Sequence, residues 1–490
     1  MKKINEENIK DILKKYFRKD YFKPFQLKII KSILSKRDTL AVLPTGSGKS
    51  LCFQLPSLYF NGTTIVISPL ISLMQDQVKQ LEKLKIKATY INSSLSPREI
   101  EVRLWRLSHN NYKLIYIAPE RLKNINFLKI CKKISIPLIV VDEAHCISMW
   151  GSDFRPNYKT IGGFIQKLKT RPIIAAFTAT ATKPVIKEIK ESLRMKSLKI
   201  FCKSPIRNNL ALNIFKCKRK DKQLLLLLTT LNKHKNQSGI IFTLTRTAAE
   251  QLCKKLLFFN FNSFFNNVFI YHGGQTSKQR ELTQKKFLNS GKSLMIATNA
   301  FGMGVDKADI RFIIHYQCPS SIESYCQEIG RAGRDLKRAH CYLLFNPKDL
   351  SVHKHFILSQ SKRHFFKHDL VFLNKVEKLR NITNLCLDEK CIKNEIKKYF
   401  LFTNQRTKKQ CANKLTRECK ACSSCNKTEN QLLKKTKNSI NKYERYKNIV
   451  PSISYDFITL LKPKTIDDFQ KIPGIGNSII DSLWALSRQN

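Results

Sequence analysis

An α/β fold is what this sequence predicts: two tandem parallel-sheet domains, then a helical metal-binding module and a short helical C-terminal end. Three observations predict it. Apolar, strand-like runs alternate with helical-looking segments in two successive series, the pattern left by strands joined through crossover helices. A glycine-rich loop follows the first run of the first series and has no counterpart in the second, so the two domains share a build but not a task. Beyond Pro347 the chain turns helical and basic and carries three cysteines at C-x2-C-x2-C spacing. These shifts divide the chain into residues 1–205, 206–348 and 349–426, a basic linker over 427–450 and a final segment over 451–490.

The first series consists of Thr39–Val42, Thr64–Ile67, Leu114–Ile117, Leu138–Val141 and Ile173–Phe177. After its first member comes Leu43-Pro-Thr-Gly-Ser-Gly-Lys-Ser50, then a helical stretch. Thr45, Gly46, Ser47 and Gly48 form a backbone that can wrap phosphates, and the helix N-terminus behind them adds its dipole. Lys49 brings a point charge to the β- and γ-phosphates of ATP, and Ser50 a hydroxyl for Mg2+. The strict pattern opens with Gly where this loop has Leu43, so the loop is a variant of it.

Leu138–Val141 is four apolar residues long, the mark of a strand buried on both faces. Asp142 and Glu143 follow where it ends, the place at which open α/β sheets carry ligands. A magnesium–nucleotide site needs one carboxylate to hold the ion and another to take a proton from the attacking water. Asp142 suits the first role and Glu143 the second. His145 comes next, then Trp150, Phe154 and Arg155, the rings and cation that a single-strand stacking platform requires. This segment can sense a nucleotide and a nucleic acid together.

With these residues in view, the chain resembles the RecQ family of DNA helicases, in helicase superfamily 2. The likeness runs from Phe22 to Cys425. It is carried by Phe22-Lys-Pro-Phe-Gln26, the phosphate loop, Ser68-Pro-Leu-Ile-Ser-Leu-Met-Gln-Asp-Gln77, Ala118-Pro-Glu-Arg121, Asp142-Glu-Ala-His145 and Thr178-Ala-Thr-Ala-Thr182. The tract Ile147 to Pro156 resembles the family's aromatic-rich loop, which DEAD-box RNA helicases lack. The resemblance implies two RecA-like domains with ATP and Mg2+ as cofactors. It implies that Gln26 reads the adenine edge, that Ser68 and its neighbours touch the DNA backbone, and that His145, Trp150, Phe154 and Arg155 relay DNA contact to hydrolysis. The sequence departs from the family at Lys19, where an aromatic usually stacks on the base, and at Lys23 and Phe25, which replace Arg and Gly. Tyr21 is a substitute ring.

The second series, Gly239–Phe242, Val268–Tyr271, Leu294–Ala297, Phe312–His315 and Cys341–Phe345, predicts the second sheet. It contains Ala297-Thr-Asn-Ala-Phe-Gly-Met-Gly-Val-Asp306 and Gln327-Glu-Ile-Gly-Arg-Ala-Gly-Arg334. The spacing of Arg331 and Arg334 sets both guanidiniums on one helical face or turn. Resembling the last helicase motif, they are expected to reach a γ-phosphate from the second domain and stabilise the transferring group. By the same resemblance Thr298, Gly304 and Gln327 lie along the DNA and nucleotide paths, and Arg207, Arg246 and Tyr271-His-Gly-Gly274 match family positions. The Phe-rich tract from Phe258 to Phe269 reads as core helix and strand.

Cys419, Cys422 and Cys425 are spaced so that their sulfurs can converge on one tetrahedral ion with a distant fourth. A thiolate-only, redox-silent site fits Zn2+ best; an iron–sulfur cluster is the alternative. The RecQ zinc module takes its first ligand from a helix, which favours Cys391, with Cys386 and Cys411 as rivals. Cys146, Cys202 and Cys341 read as ordinary buried thiols. The final segment, with Lys471-Ile-Pro-Gly-Ile-Gly-Asn477, resembles part of the family's HRDC domain, and no winged-helix domain has room before it.

A formal net charge of +53, from 89 Lys and Arg against 36 Asp and Glu, makes a phosphate polymer the natural partner. Codon bias toward Lys, Asn and Ile contributes to that excess. Fifteen Cys beside nucleotide motifs point to a reducing interior. With no signal-peptide core and no membrane-length run, the expected place is the cytoplasm at a bacterial nucleoid, or a nucleus, not a membrane. The expected activity is ATP hydrolysis driving 3′→5′ movement along one strand and separation of duplex DNA, in recombination and repair. Single-stranded and duplex DNA are the expected partners. The alternatives are a DNA-stimulated translocase without efficient unwinding and a DEAD-box-like RNA helicase.

Overall fold

Two open sheets built only of parallel strands organise the chain. The computed structural model describes residues 6–151, 153–259, 265–301, 307–361, 370–400, 419, 421–426, 468 and 472. Residues up to Arg207, together with those from Lys397 to Phe400, group into the first compact unit, and the second begins at Asn208.

In the first unit the strands are β1 (Thr39–Val42), β2 (Thr64–Ile67), β3 (Ala88–Ile91), β4 (Leu114–Ile117), β5 (Leu138–Val141), β6 (Ile173–Thr178) and β7 (Lys199–Cys202). They lie in the order β3-β4-β2-β5-β6-β1-β7. Successive residues along each central strand alternate between two apolar cores. Leu40, Ile65, Ile115, Ile139 and Ile174 face one; Ala41, Val66, Tyr116, Val140 and Ala175 face the other. A sheet sandwiched on both sides explains why these strands read as continuous apolar runs rather than alternating ones. The helices α1 (Glu6–Phe17), α2 (Gln26–Leu34), α3 (Lys49–Tyr59) and α4 (Ile71–Lys83) cover one side. The other side is covered by α5 (Pro97–Ser108), α6 (Ile125–Lys133), α7 (Thr160–Gln166) and α8 (Lys183–Ser192). Each fully buried aliphatic or aromatic side chain in these layers contributes about 1.5–3 kcal/mol.

The second unit repeats the plan with β8 (Leu210–Lys216), β9 (Ser238–Phe242), β10 (Asn267–Tyr271), β11 (Ser293–Ala297), β12 (Ile310–His315) and β13 (Ala339–Phe345), in the order β10-β11-β9-β12-β13-β8. Helices α9 (Lys220–Lys233), α10 (Arg246–Phe258), α11 (Ser277–Asn289) and α12 (Ile322–Ile329) accompany it. The leucine run of α9, Leu224–Leu228, lies wholly in the core of this unit. Then come α13 (Asp349–Ser361), α14 (Leu370–Leu387), α15 (Ile392–Phe400) and a short helix, α16 (Ser423–Asn426).

Three strands, β3, β7 and β8, have no counterpart among the apolar runs. All three are edge strands, paired with a neighbouring strand on one side only. Lys199 and Ile200 of β7 are accordingly exposed, and Asn213 interrupts β8. The proposed linker over 427–450 and nearly all of the segment over 451–490 lie outside the described residues, as do Gly304 and Cys411. Among the described residues no helix is long and apolar enough to cross a membrane.

Candidate active site

β1 ends in the phosphate loop, which turns back through a Ser47 Oγ hydrogen bond of 2.7 Å to the Pro44 carbonyl. Gly48 caps α3 at φ +78, a left-handed conformation that favours glycine. A Cβ there would lie 2.4 Å from Gln26 Nε2, so the residue is required twice over. Lys49 and Ser50 open α3. The Lys49 ammonium is buried and makes no hydrogen bond among the described residues. A buried cation without hydrogen bonds is costly, and a triphosphate is the partner this loop would offer it.

Gln26, the first residue of α2, is 3 % exposed. Its Nε2 donates to the Gly48 carbonyl at 3.0 Å, and its Oε1 accepts from the Lys23 N–H at 2.7 Å. The Lys23 ammonium donates to the Gly46 carbonyl at 3.1 Å. In this structure the amide expected to read adenine therefore braces the phosphate loop. Phe25 precedes it at φ +73, the strained conformation for which a glycine is the natural residue.

Asp142 continues β5, its N–H bonded to the Ile67 carbonyl at 2.8 Å, and its Oδ1 accepts from the Glu143 N–H at 3.0 Å. Burial and then the Glu143 charge push the Asp142 carboxyl up to about 6, against the pull of Lys49. Glu143 itself stands at φ +48, strain of the kind that clusters at functional sites. Its carboxylate is 3.3 Å from His145 Nδ1, which also lies 2.9 Å from the Thr178 hydroxyl at the end of β6. Burial disfavours charge on the His145 ring, but the Cys146 sulfur and Glu143 outweigh it and hold its pKa up at about 10. His145 thus joins the ends of two adjacent strands, β5 and β6, beside the general-base candidate.

The aromatic segment is bolted to the same edge. Trp150 packs against the core from which β5 rises. Arg155 donates to the Pro69 carbonyl, just past β2, at 3.0 Å and pairs with Asp153. Lys159 stands 5.3 Å from the centre of the Phe154 ring. Tyr158, fully buried, donates from its hydroxyl to the Asp142 carbonyl at 3.0 Å. Gly151 lies so close to the His145 carbonyl that a Cβ would come within 2.2 Å of it.

Ser68 is placed differently from expectation. It extends β2 with its N–H on the Ile117 carbonyl, is 1 % exposed and keeps its hydroxyl in the interior. In this conformation it cannot touch a DNA backbone. His145 and Thr298 are likewise interior.

In the second unit Thr298 follows β11, its N–H bonded to the Tyr271 carbonyl at 3.1 Å. Gln327 is half-buried on α12, and Arg331 and Arg334 follow that helix in a turn that Gly333 completes at φ +56. The Gly333 carbonyl accepts from Asn209 at 2.8 Å. Behind the turn, His315 Nε2 lies 2.7 Å from the Glu328 carboxylate. Lys378 of α14 pairs with Glu323 at 3.6 Å and so ties α14 to α12.

The sulfur atoms of Cys391, Cys419, Cys422 and Cys425 lie within 4.8 Å of one another. Three of the gaps are 3.4, 3.8 and 3.9 Å. A tetrahedral ion with bonds near 2.3 Å sets its sulfurs about 3.8 Å apart, so the four thiols fit zinc. Cys391 precedes α15 rather than lying on it; its carbonyl accepts the Asn394 and Glu395 N–H groups. Cys386 is instead buried on α14 and hydrogen-bonded to Cys318, which leaves Cys391 as the fourth ligand among the described residues. The cluster docks on the free edge of β8: the Leu212 N–H bonds the Ala421 carbonyl at 3.2 Å and the Ile214 N–H the Ser423 hydroxyl at 3.1 Å.

Residues 23–189 match the DEAD/DEAH box helicase model and residues 219–335 the helicase conserved C-terminal domain. The chain is 40% identical over 425 residues to the ATP-dependent DNA helicase RecQ of Bacillus subtilis, covering 84% of this chain and 69% of that protein. The chain belongs to the RecQ family of helicases. A second RecQ helicase, from Synechocystis sp., is 38% identical over 350 residues, 69% of this chain and 71% of that protein. Among solved structures, Mss116p bound to ssRNA and AMP-PNP shares the fold with a TM-score of 0.59 at 19% identity, covering 99% of this chain and 94% of that one.

Within this RecQ-family site, sequence reasoning missed the bracing role of Lys23, and it missed Tyr158, and Thr178 as the partner of His145. For Tyr158 a signal existed: an aromatic three residues after Arg155, on the end of the aromatic tract. For the contact of His145 with Thr178 there was none.

Proposed function

We propose that this RecQ-family chain is an ATP-dependent DNA helicase that moves 3′→5′ along one strand and separates duplex DNA, in recombination and repair. The observation that carries the reading is the joint anchoring of the Asp142–Glu143 pair and the aromatic segment on one sheet edge, through Tyr158 and Arg155. The names of the relatives and the charge of +53 support DNA as the partner.

Thr45, Gly46, Ser47, Gly48 and Lys49 would hold the phosphates of ATP, with Ser50 and Asp142 holding Mg2+. The bound Mg2+ supplies neutralisation of charge on the leaving phosphates. Glu143 takes the proton of the attacking water, with His145 beside its carboxylate and Asp142 accepting its backbone N–H. Arg331 and Arg334 stabilise charge on the transferring phosphoryl group. Gln26 couples the state of the phosphate loop to α2. Trp150, Phe154 and Arg155 contact single-stranded DNA and, with Thr298 and Gln327, report it to the nucleotide. Zinc bound by the four cysteines is structural.

The test is strand separation of a labelled duplex carrying a 3′ single-stranded tail, against the same duplex with a 5′ tail and an RNA duplex. Separation of the 3′-tailed DNA alone, dependent on ATP, is expected. Hydrolysis stimulated by DNA without separation would make the chain a translocase; preference for RNA would replace the DNA reading.

A further inference from the structure

We infer that Glu188, on α8 and outside every motif that marks the site, is a positioning residue that holds the aromatic segment in the conformation able to report nucleic-acid contact. The inference rests on the proposed function and names a residue that the function does not use.

One carboxylate grips the segment at both ends. Ser148, fully buried just before Trp150, donates from Oγ to Glu188 Oε2 at 2.6 Å. The same Oγ accepts the Trp150 N–H at 3.0 Å. At the far end, Lys159 Nζ stands 3.9 Å from Glu188 Oε1 and 5.3 Å from the centre of the Phe154 ring. Hydrogen bonds of a hydroxyl to a carboxylate at this length are about twice as strong as neutral ones. The ion pair to Lys159 is more open to solvent and adds less.

Glu188 is itself rigidly held. Val185 and Ile189, on either side of it along α8, are buried in the core against which Trp150 packs. The helix follows β6, whose Thr178 meets His145. Arg155 and Tyr158 fasten the segment to the ends of β2 and β5; Glu188 adds a fastening from a helix, one hydroxyl away from the Trp150 N–H. Losing it releases the Ser148 hydroxyl that receives the Trp150 N–H, while leaving the nucleotide loop and both catalytic carboxylates untouched.

Full-length Glu188→Ala and Glu188→Gln proteins test this beside the unaltered chain, with ATP turnover measured without DNA and across a titration of a single-stranded oligonucleotide. Glu188→Ala should keep its unstimulated rate and lose only a few degrees of melting temperature, while half-maximal stimulation needs about tenfold more oligonucleotide, the effect of one lost charge-assisted hydrogen bond. Glu188→Gln keeps an acceptor for Ser148 and should recover most of that loss. If both variants titrate like the unaltered chain, the inference is overturned. A parallel fall in unstimulated and stimulated rates with a lowered melting temperature also overturns it, since Glu188 would then be part of the scaffold only. Absence of stimulation in the unaltered chain would instead remove the proposed function, a separate failure.

Discussion

The hydroxyl of Tyr158 donates a hydrogen bond to the main-chain carbonyl of Asp142 across sixteen residues of sequence. The bond joins the end of the aromatic segment to the carboxylate expected to hold Mg2+, through the backbone and not the side chain. A shift of the segment therefore pulls on the peptide between Asp142 and Glu143, where the chain already bends at φ +48. Tyr158→Phe removes this bond and little else. Its expected cost is about 1 kcal/mol in stability, with ATP turnover stimulated by DNA falling several-fold and nucleotide affinity unchanged. Turnover and stability both equal to the unaltered chain would show that the bond carries no signal.

On the proposed function Lys49 and Glu143 act at different stages, and their variants should separate binding from chemistry. Lys49→Ala removes the buried cation proposed to hold the phosphates and should abolish DNA-stimulated hydrolysis together with most ATP binding. Glu143→Gln keeps size and hydrogen bonding but cannot accept the proton; turnover should fall by about 10²–10⁴ with ATP still bound. Fluorescent-nucleotide binding and phosphate release distinguish the two. Full hydrolysis by the Lys49 variant would remove the assignment of the loop.

The sequence is most legible where one physical demand acts on neighbouring residues. Central strands such as β2 and β5 are sandwiched, so Ile65, Val66, Ile139 and Val140 have to be apolar together, and the glycines of the phosphate loop are bound to their turn. Legibility fails where a demand comes from far along the chain. Ser148 and Glu188 meet across forty residues and His145 and Thr178 across thirty-three, distances that no periodicity encodes. Ser68 departs from expectation because a serine after an apolar run can end a strand inside the sheet or stand on its rim. Phe25 is legible as a departure, but only its φ of +73 shows what the departure costs.

The cysteine cluster should bind about one zinc per chain. Because it is joined to the edge of β8, loss of the ion is expected to loosen that edge as well as the cluster. Cys422→Ser, at the buried ligand beside Leu212, should release the metal and lower the melting temperature by several degrees, and a chelator should do the same to the unaltered chain. Metal analysis and thermal melts check both. Folded protein free of metal would end the assignment, and iron in place of zinc would replace it with a cluster.

Acid should destabilise the second unit through a pair of histidines. His234 is buried against Phe312, with Nδ1 2.9 Å from Gln237 Oε1 and Nε2 2.8 Å from the Tyr342 hydroxyl. The neutral ring serves both partners, donating to the first and accepting from the second. Burial lowers its pKa from 6.5 to about 4. His340, 5.3 Å away, is lowered to about 4 by burial and by His234, with Lys233 and Arg338 adding like charge. Each folded value lies below the unfolded one, so the unfolded chain binds more protons between them. The stabilisation is complete above pH 6.5 and is lost as pH falls toward 4, for His234 on the order of 3 kcal/mol. Asp349, pushed up to about 6 by burial, works in the opposite sense and flattens the curve. Melting temperatures between pH 7.5 and 4.5, taken for the unaltered chain and for His234→Gln, isolate the histidine from the carboxylates. The variant should be less stable at neutral pH but lose less on acidification; equal slopes for the two proteins would show that these rings do not set the acid limit.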